Sequence, residues 1–373
     1  MTGKEKINLL VLIVSMPAGG VENQVLSVVR RLDRGRFEPV ICCIRERGAL
    51  GEMAAKEGLN VIALNLMKSS RFSLAIPLRI AEVLKEHRIH VLWTHQYVAN
   101  LYGRMAALVA KTPAVIATFR ALYDRPKRHR SLFNHLLAYR TDRLVAVSGA
   151  VAQDITAHDR VHANKITVIR NGIDLSLFNV PLSKRECRKM LGLPEEGIIV
   201  GATGRLSKEK NHMLLIEAVK RLPQDVKGVL VGDGPLRKDL ERAGAGKFYF
   251  LGQLEYNLIP VSLKALDIYC FPSLWEGMPS ALAEAMAAGL PVIASDISSH
   301  RELLGDAGMY VPSGDTDALT GALKRLIDDP PAGDSLGRKA KERAQMFSIE
   351  NTVRAYEGLF EGIIRGKNLY GIL

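Results

Sequence analysis

The 373-residue sequence has few cysteines, and they form no metal-binding or disulfide pattern. Cys42, Cys43, Cys187 and Cys270 show no CxxC spacing and have no histidine at a metal-ligand spacing. Both a structural zinc site and a disulfide framework are therefore disfavoured. This cysteine usage fits a protein of the reducing cytosol.

Long hydrophobic runs are also missing, since no stretch approaches the 18 apolar residues that a membrane-spanning helix needs. The apolar run at 9–14 has no small-residue cleavage site behind it, so it predicts a first buried strand. The motifs GxxxxGK[ST] and HExxH do not occur, and no GxSxG elbow joins an expected strand to a helix, because "GDSLG" (333–337) follows the helical stretch 316–328. The DxD spacing at 315–317 runs into that same helical stretch and does not lie within a strand-end loop. Kinase-like and metalloprotease chemistry are therefore unsupported.

Acidic residues are scarce in the first half of the chain. Residues 1–178 hold 26 Lys/Arg and 14 Asp/Glu, whereas residues 179–373 hold 25 of each, so the whole net charge of +12 belongs to the first half. An ordinary solvated surface is one explanation. An anionic membrane surface, an anionic substrate or nucleic acid are the others. Nucleic acid is disfavoured because no basic-aromatic binding module is visible.

Short apolar runs alternate with amphipathic segments, which is typical of parallel sheets connected by helices. In the first half we expect strands at 7–14, 40–44, 61–64, 90–94, 114–118, 144–147 and 166–169, with helices at 22–32, 74–87 and 100–110. A turn-rich segment at 171–184 predicts a linker. After it we expect strands at 197–203, 228–231, 248–251, 267–271, 292–295 and 308–311, with helices at 211–221, 235–244, 280–288 and 316–328.

The repeated pattern predicts an α/β protein with two tandem Rossmann-like, doubly wound domains, one over 1–174 and one over 175–349. The last segment, 338–366, is strongly helical, and we expect the terminal helix at about 350–373 to pack back on the N-terminal domain. Ligands of doubly wound sheets bind beyond the carboxyl ends of the strands. A cleft between two facing domains is therefore the expected site.

Two strand-end stretches suggest anion binding. In "SMPAGGVENQ" (15–24), Gly19 and Gly20 allow a tight turn and close approach of a ligand to a helix amino terminus. In "GRLSKEKN" (204–211), Arg205, Lys208 and Lys210 converge after a strand, where they suit a diphosphate. A plain strand-to-helix turn and a basic solvated loop are the alternative interpretations.

Two further stretches leave alternatives open. "VGDGPLRKDL" (231–240) nearly matches GxGxxG, but Arg237 stands where the third glycine belongs, so a turn explains it nearly as well as a nicotinamide cofactor. His95 ends a strand in "WTHQYVANL", where it could be a buried structural histidine or a polar group that meets a sugar or a proton.

Charge is unexpected in the alanine-rich stretch "PSLWEGMPSALAEAMAAG" (272–289), where seven residues separate two glutamates. Pro279 fits the first helical turn, and 280–288 should be helical. Glu276 precedes this helix, where capping would explain it. Glu284 lies inside the helix on a face of small residues. Together the two carboxylates could hold sugar hydroxyls while the first helical N–H groups hold a phosphate.

In this order, the motifs resemble the retaining glycosyltransferases of family 4, also called group 1, which have the GT-B fold. The resemblance covers nearly the whole chain, and its most specific part is the pair of glutamates. The motifs that carry it are "PAGGVEN" (17–23), "WTHQYVAN" (93–100), "VAVSGAV" (145–151), "VIRNGID" (168–174), "GRLSKEKN" (204–211), "VGDGP" (231–235), "FLG" (250–252) and "EGMPSALAEAMAAGLPVIAS" (276–295).

The resemblance implies a nucleotide-sugar site in the C-terminal domain and an acceptor side in the N-terminal domain. Arg205 and Lys210 would neutralise the diphosphate leaving group without a metal or another cofactor. Glu276 would lie near the donor sugar and Glu284 would bind the ribose hydroxyls. The other implied donor contacts are Gly19, Gly20 and His95 near phosphate or sugar, Gln253 and Leu254 near the base, and Gly277, Met278, Ser280 and Ala281 near the diphosphate.

The implied reaction transfers a sugar from a nucleotide diphosphate, with UDP favoured, to a hydroxyl of a glycan or lipid-linked acceptor, with retention at the anomeric carbon. Neither glutamate is implied as a nucleophile. A sugar-nucleotide epimerase of the same fold and a non-catalytic sugar-nucleotide or glycan-binding protein are the alternatives, and a nicotinamide dehydrogenase is a weaker one. Segment 120–143 mixes basic and apolar residues at helical spacing, so it could lie on anionic lipid or be an ordinary basic surface helix. We expect a cytoplasmic enzyme that, in the first case, is peripheral at the inner face of the membrane.

Overall fold

The computed structural model describes residues 6–67, 72–122 and 128–369. The chain forms two compact units, one of Met1–Gly172 with Ile349–Leu373 and one of Ile173–Ser348. In the described part of the chain, no helix is both long enough and apolar enough to cross a bilayer.

Thirteen strands occur in the described part, and all pair in parallel. They are β1 (Ile7–Ile13), β2 (Phe37–Cys43), β3 (Asn60–Ala63), β4 (Val91–His95), β5 (Ala114–Phe119), β6 (Arg143–Ala146), β7 (Ile166–Val168), β8 (Ile199–Thr203), β9 (Lys227–Val231), β10 (Phe248–Gly252), β11 (Ile268–Phe271), β12 (Val292–Ser295) and β13 (Met309–Val311).

Helices connect these strands. They are α1 (Gly20–Arg31), α2 (Gly48–Lys56), α3 (Ala75–Glu86), α4 (Gln96–Ala110), α5 (Arg128–Ala138), α6 (Gly149–Asp159), α7 (Lys184–Met190), α8 (His212–Lys220), α9 (Arg237–Ala243), α10 (Ile259–Lys264), α11 (Ser280–Ala287), α12 (Ser298–Leu304), α13 (Thr316–Asp328), α14 (Pro330–Ala344) and α15 (Ile349–Gly366).

The first unit is a seven-stranded sheet in the order β3-β2-β1-β4-β5-β6-β7, with helices on both faces. Alternate residues of β1 point to opposite cores: Leu9 and Val11 pack in the core that includes α1, α2 and α15, whereas Leu10 and Leu12 pack in the core that includes α3 and α4. Because both faces are covered, the strands are nearly continuous apolar runs in the sequence. The C-terminal helix α15 belongs to this unit.

The second unit is a six-stranded sheet in the order β10-β9-β8-β11-β12-β13. Each sheet therefore reverses its winding direction once, between β1 and β4 in the first unit and between β8 and β11 in the second. Ligands of doubly wound sheets bind at this switch point, beyond the carboxyl ends of the strands. The predicted fold class, two doubly wound α/β domains in tandem, is confirmed.

Three local predictions need correction. The helical segment 338–366 is two helices, because the chain makes a 3-10 turn at Gln345–Phe347 and Ser348 is extended, forming a parallel bridge with Ile173. The predicted linker 171–184 contains a 3-10 helix, Leu175–Phe178, whose last side chain is buried. Pro279 lies at the N-cap of α11 and not in its first turn.

Candidate functional site

At the switch point of the second unit, two charged side chains from neighbouring loops meet. The Nζ of Lys210, which follows β8, lies 2.6 Å from Oε1 of Glu276, which follows β11. Their side chains are only 17% and 13% exposed, so water screens this pair less than an ion pair on the open surface. The structure thus brings together a cation and an acid that are 66 residues apart in the sequence.

Local backbone structure fixes the position of Lys210. Residues Lys208–Lys210 form a 3-10 turn, and Asn211 ends it in the left-handed conformation, with φ of 51°, which asparagine tolerates better than most residues. The amide of Leu274 donates to the carbonyl of Glu209 at 2.8 Å and so joins the two switch-point loops. The ammonium of Lys210 also lies 4.9 Å from the ring centroid of Phe271, a cation–π distance.

The glycine-rich stretch at 231–235 supports the loop of Lys210 from behind. A Cβ on Gly232 would come within 2.0 Å of the carbonyl oxygen of Gly204, and Gly232 has a φ of 134°. The amide of Leu206 donates to the carbonyl of Asp233 at 2.9 Å. Glycine therefore allows the backbone of 231–235 to pack directly against the loop of Lys210. This close packing explains why glycine is needed here, and no nicotinamide cofactor is required to explain it.

Glu284 has surroundings that differ from those of Glu276. It lies in α11, it is 8% exposed, and its Oε1 accepts a hydrogen bond from the Tyr256 hydroxyl at 3.2 Å. Burial raises the pKa of Glu284 from 4.5 to about 7, although the Tyr256 hydrogen bond opposes the shift. In the unliganded protein this carboxyl is therefore near its midpoint at neutral pH.

The other residues predicted in this unit lie around the same edge of the sheet. Arg205 is exposed in the loop after β8, and Gln253 and Leu254 directly follow β10. The Tyr256–Glu284 bond joins the chain after β10 to α11. Gly277 and Met278 are buried ahead of α11, whereas Ser280 and Ala281 are its first two residues, whose N–H groups have no acceptor within the helix.

The first unit has its own cluster at the switch point between β1 and β4. Gly19 is the extended N-cap of α1, with φ of −145°, and Gly20 begins the helix. Neither glycine has a positive φ, so the predicted tight turn is not what requires them. A Cβ on Gly19 would come within 2.3 Å of Oε2 of Glu22, whereas Gly20 has open space beside its Cα.

His95 is fully buried at the end of β4, and its ring packs edge-on against Trp93 at 4.3 Å between centroids. Arg120, which follows β5, places Nη2 and Nε at 3.3 and 3.4 Å from Nδ1 of His95 and donates from Nη1 to Asn171 at 2.7 Å. Burial, followed by the charge of Arg120, lowers the pKa of His95 well below 6.5.

The chain turns abruptly after His95. Gln96 has a φ of 66°, an uncommon conformation for a residue other than glycine that tends to occur at functional sites. Its Nε2 donates to Oε1 of Glu22 at 3.3 Å. The strained turn thus ties the end of β4 to the beginning of α1.

Sequence reasoning missed several residues of these clusters. Glu22 and Arg120 each lie close to a strand end, and Asn171 lies in the motif "VIRNGID" (168–174). Position relative to the strands could therefore have found them. Tyr256 and Phe271 carried no comparable signal, because their importance comes from contacts with residues that are distant in sequence.

Within the residues that the structure describes, no group of three or more His, Cys, Asp or Glu side chains is arranged to hold a metal ion. The polar groups described at the two switch points include a Lys–Glu pair, a buried carboxyl and a buried imidazole in contact with a guanidinium.

Two doubly wound units with these switch-point loops place the protein in the GT-B class of α/β proteins. The solved structure of Alr3699/HepE from Anabaena, in complex with UDP and glucose, has a TM-score of 0.84 at 21% identity, and the alignment covers 95% of this chain and 99% of that one. A sucrose-phosphate synthase from Thermosynechococcus elongatus has a TM-score of 0.79 at 18% identity, covering 97% and 100% of the two chains.

Sequence comparison gives the family. Residues 18–177 match Glycosyltransferase Family 4 and residues 183–343 match Glycosyl transferases group 1. The chain is 32% identical over 266 residues to UDP-Gal:alpha-D-GlcNAc-diphosphoundecaprenol alpha-1,3-galactosyltransferase of Escherichia coli, covering 66% of this chain and 69% of that protein. It is 29% identical over 346 residues to phosphatidyl-myo-inositol mannosyltransferase of Mycolicibacterium smegmatis, covering 88% and 86%. The chain therefore belongs to the group 1 glycosyltransferases of family 4, as its motifs predicted.

Proposed function

We propose that the protein transfers a sugar from a nucleotide diphosphate sugar to a hydroxyl of a lipid-linked or glycan acceptor, with retention of anomeric configuration. The observation that carries the proposal is the partly buried Lys210–Glu276 pair at the switch point ahead of α11. There, a diphosphate would find a cation, the first N–H groups of a helix and, through Arg205, a second cation.

Names of relatives support the donor and the acceptor class. A UDP-sugar is the donor in the name of the Escherichia coli relative, whose acceptor is a diphosphoundecaprenol-linked sugar. The mycobacterial relative is named for phosphatidyl-myo-inositol. A third relative, 37% identical over 270 residues, is a putative teichuronic acid biosynthesis glycosyltransferase of Bacillus subtilis. We infer a UDP-sugar donor and an acceptor of cell-surface polysaccharide or glycolipid synthesis.

The site residues would act mainly through electrostatics. Negative charge grows on the diphosphate as the sugar leaves, and Lys210, Arg205 and the amides of Ser280 and Ala281 would stabilise it. The diphosphate would compete with Glu276 for the ammonium of Lys210, which frees Glu276 for the donor sugar. Glu284 would accept from the ribose hydroxyls, and Gln253 and Leu254 would meet the base.

Retention is assigned without a carboxylate nucleophile. We propose that the acceptor attacks on the face from which the diphosphate departs, so the carboxyl-separation rule of glycoside hydrolases does not apply. Because cationic side chains and helical N–H groups stabilise the leaving group, we propose that the transfer needs no metal ion or further cofactor.

Donor profiling tests the reaction. The protein is incubated with UDP-, GDP- and ADP-sugars and with polyprenyl-diphosphate sugars or short glycans, and products are identified by mass spectrometry and NMR. We expect an α-linked product from an α-linked UDP-sugar, with an unchanged rate in EDTA. A product with inverted anomeric configuration would refute retention. A rate that falls in EDTA would refute the proposal that the transfer needs no metal ion.

The same experiment separates the alternatives. An isomerised sugar nucleotide formed without acceptor would identify an epimerase, and donor binding without any product would identify a binding protein. Thermal stabilisation by NAD alone, with none by sugar nucleotides, would overturn the proposal in favour of a dehydrogenase.

Helix α5 supports a membrane-bound acceptor. Leu132, Phe133 and Leu136 of α5 and Tyr139 directly after it are between 45% and 71% exposed, and we call these four side chains the docking face. Residues 128–141 include three arginines and no acid. Within segment 120–143, residues 123–127 lie outside the described part of the chain.

The inward side of α5 buries no large apolar side chain, unlike the inward side of an ordinary amphipathic surface helix. Its two buried residues are Asn134 and Ala138. Asn134 accepts from Arg104 at 2.5 Å and donates to Asp159 at 2.9 Å. An exposed apolar face on a segment that carries arginines and no acid is suited to the interface of an anionic bilayer. We therefore propose that α5 docks on anionic lipid, at the inner face of the membrane.

Vesicle flotation tests the docking. The protein is mixed with phosphatidylcholine vesicles with and without phosphatidylglycerol at 150 mM salt. We expect flotation with the anionic vesicles only, and loss of it in a Leu132→Ser/Leu136→Ser variant. Met190→Ser, an exposed apolar residue of the other unit, is the matched control. No flotation of the wild type would refute the docking and leave the reaction untouched.

A further inference from the structure

The contact between His95 and Arg120 limits what His95 can do. Arg120 approaches Nδ1 of His95 with two N–H groups, from Nη2 at 3.3 Å and from Nε at 3.4 Å. A guanidinium has five N–H donors and no acceptor. Nδ1 must therefore accept, and the proton of a neutral imidazole must lie on Nε2.

The surroundings of the ring keep it uncharged. Arg120 is the charged group in direct contact with the imidazole, and the Trp93 ring covers it from β4. The other titratable groups act on Arg120: Glu22 of α1 and Tyr356 of α15 are its electrostatic partners. A second proton would have to be placed on Nδ1, directly against a guanidinium, in a fully buried position.

The remaining nitrogen is a buried donor. Nε2 of His95 has no hydrogen-bond partner among the described residues. A buried donor without an acceptor is unfavourable, and this one lies at the carboxyl end of β4, beside the switch point. An oxygen of a bound substrate is the acceptor that this position favours.

We propose that Arg120 is a positioning residue for His95: it fixes the Nε2–H tautomer of a neutral imidazole, so that His95 serves the reaction as a hydrogen-bond donor to a substrate oxygen and not as a proton carrier. The proposal rests on the proposed function only for the identity of that oxygen, a hydroxyl or ring oxygen of the sugar or of the acceptor. The tautomer itself follows from the contact of the two side chains.

The tautomer is measured by long-range ¹H–¹⁵N NMR on the full chain labelled with ¹⁵N-histidine, and His95→Gln identifies the signals. For the wild type we expect a protonated Nε2 and an unprotonated Nδ1 that do not change between pH 8 and 5.5. Arg120→Met should give a mixture of tautomers or a titration within this range. Arg120→Lys, which keeps the charge and a donor, should restore the wild-type signals.

A second pair of variants separates the charge from the hydrogen bond. Arg120→Gln keeps an N–H donor without the charge, so we expect the same tautomer at pH 8, with protonation of the ring beginning at a higher pH than in the wild type when the titration is extended below pH 5.5. An Nδ1–H tautomer or an imidazolium in the wild type at pH 6 would overturn the proposal. Unchanged spectra in both Arg120→Met and Arg120→Gln would also overturn it.

The donor role is tested by transferase activity. Glutamine can present an N–H group near the position of the histidine Nε2, whereas alanine cannot. We expect His95→Gln to retain at least about tenfold more kcat than His95→Ala. Equal losses would contradict the donor role. Because the NMR measurement uses no substrate, a failure of the proposed reaction and a failure of the positioning proposal remain distinguishable.

Discussion

Replacement of Glu284 by glutamine should stabilise the unliganded protein, and the gain should depend on pH. The substitution removes the carboxyl charge, and the amide oxygen can still accept the hydrogen bond of Tyr256. Because burial raises the pKa of Glu284 from 4.5 to about 7, ionisation of this residue is less favourable in the folded than in the unfolded chain. The wild type therefore carries a destabilising group that the variant lacks.

The size and the sign of the effect follow from linkage. Below pH 4.5 the carboxyl is protonated in both states, and ionisation contributes nothing to the difference between the two proteins. Between 4.5 and 7 the unfolded chain ionises first, so the stability of the wild type falls as pH rises. Above pH 7 both states are ionised, and the difference between a pKa of 4.5 in the unfolded chain and about 7 in the folded one corresponds to about 3 kcal/mol.

The assay is urea unfolding of both proteins at pH 4.5, 5.5, 6.5 and 7.5, with hydrogen-exchange mass spectrometry of β8 and β11 reporting on the second unit. We expect the variant's advantage to grow with pH by about 3 kcal/mol. The exposed Glu255→Gln is the matched control and should differ from wild type by less than about 0.5 kcal/mol. An advantage that is independent of pH would refute the assigned environment of Glu284.

Three further predictions concern the same unit. Lys210→Ala should lower kcat/KM at least about 100-fold while the circular dichroism spectrum stays unchanged. A kcat/KM equal to that of the wild type would contradict the assignment of Lys210 to the site. Gly232→Ala should destabilise the protein by more than about 2 kcal/mol in urea unfolding, because the added Cβ would lie 2.0 Å from the carbonyl oxygen of Gly204. The control Gly321→Ala, at an open position of α13, should not destabilise the protein. Tyr256→Phe removes a hydrogen bond that lowers the pKa of Glu284, so affinity for a UDP-sugar at pH 7 should fall in calorimetry, and equal or tighter binding would contradict this.

Hydrophobic patterning alone predicted the thirteen strands, because both faces of each sheet are covered. The strand of the first apolar run, expected at 7–14, is observed at Ile7–Ile13. Helices with weaker apolar periodicity were missed. One of them, α7, begins with a capping box of Ser183 and Glu186, which the sequence displays as S-x-x-E.

Helix propensity could not predict the break near residue 345. All of 338–366 favours helix locally, yet Ser348 is extended where the chain passes from the second unit to the first. The amide of Ile173 donates to the carbonyl of Phe347 at 2.8 Å, so the break is fixed by a contact 174 residues away in the chain. Such tertiary contacts override local preference, as they do for the 3-10 helix within the expected linker.

In the candidate site too, local features could be predicted from the sequence, whereas contacts between distant residues could not. Sequence patterns indicated which residues follow strand ends, because turn and glycine signals are local. They could not indicate that Lys210 pairs with Glu276, since this contact exists only because β8 and β11 are neighbours at the switch point. The place of Arg120 after β5 was visible in the sequence, but its contact with His95 was not, because that contact depends on the adjacency of β4 and β5.

The two glutamates show why spacing alone does not assign chemistry. Their separation places one carboxyl in a loop and the other inside a helix, and everything else depends on the neighbours that the fold supplies. Glu276 faces an ammonium at 2.6 Å, whereas Glu284 faces a phenol at 3.2 Å in a buried position. A diphosphate can displace the first carboxylate from its cation, while a pair of hydroxyls can supply the hydrogen bonds that the second needs to ionise. Donor binding should therefore be coupled to exchange of an ion pair at Glu276 and to loss of a proton at Glu284, two linkages that salt and pH titrations of the same affinity can measure separately.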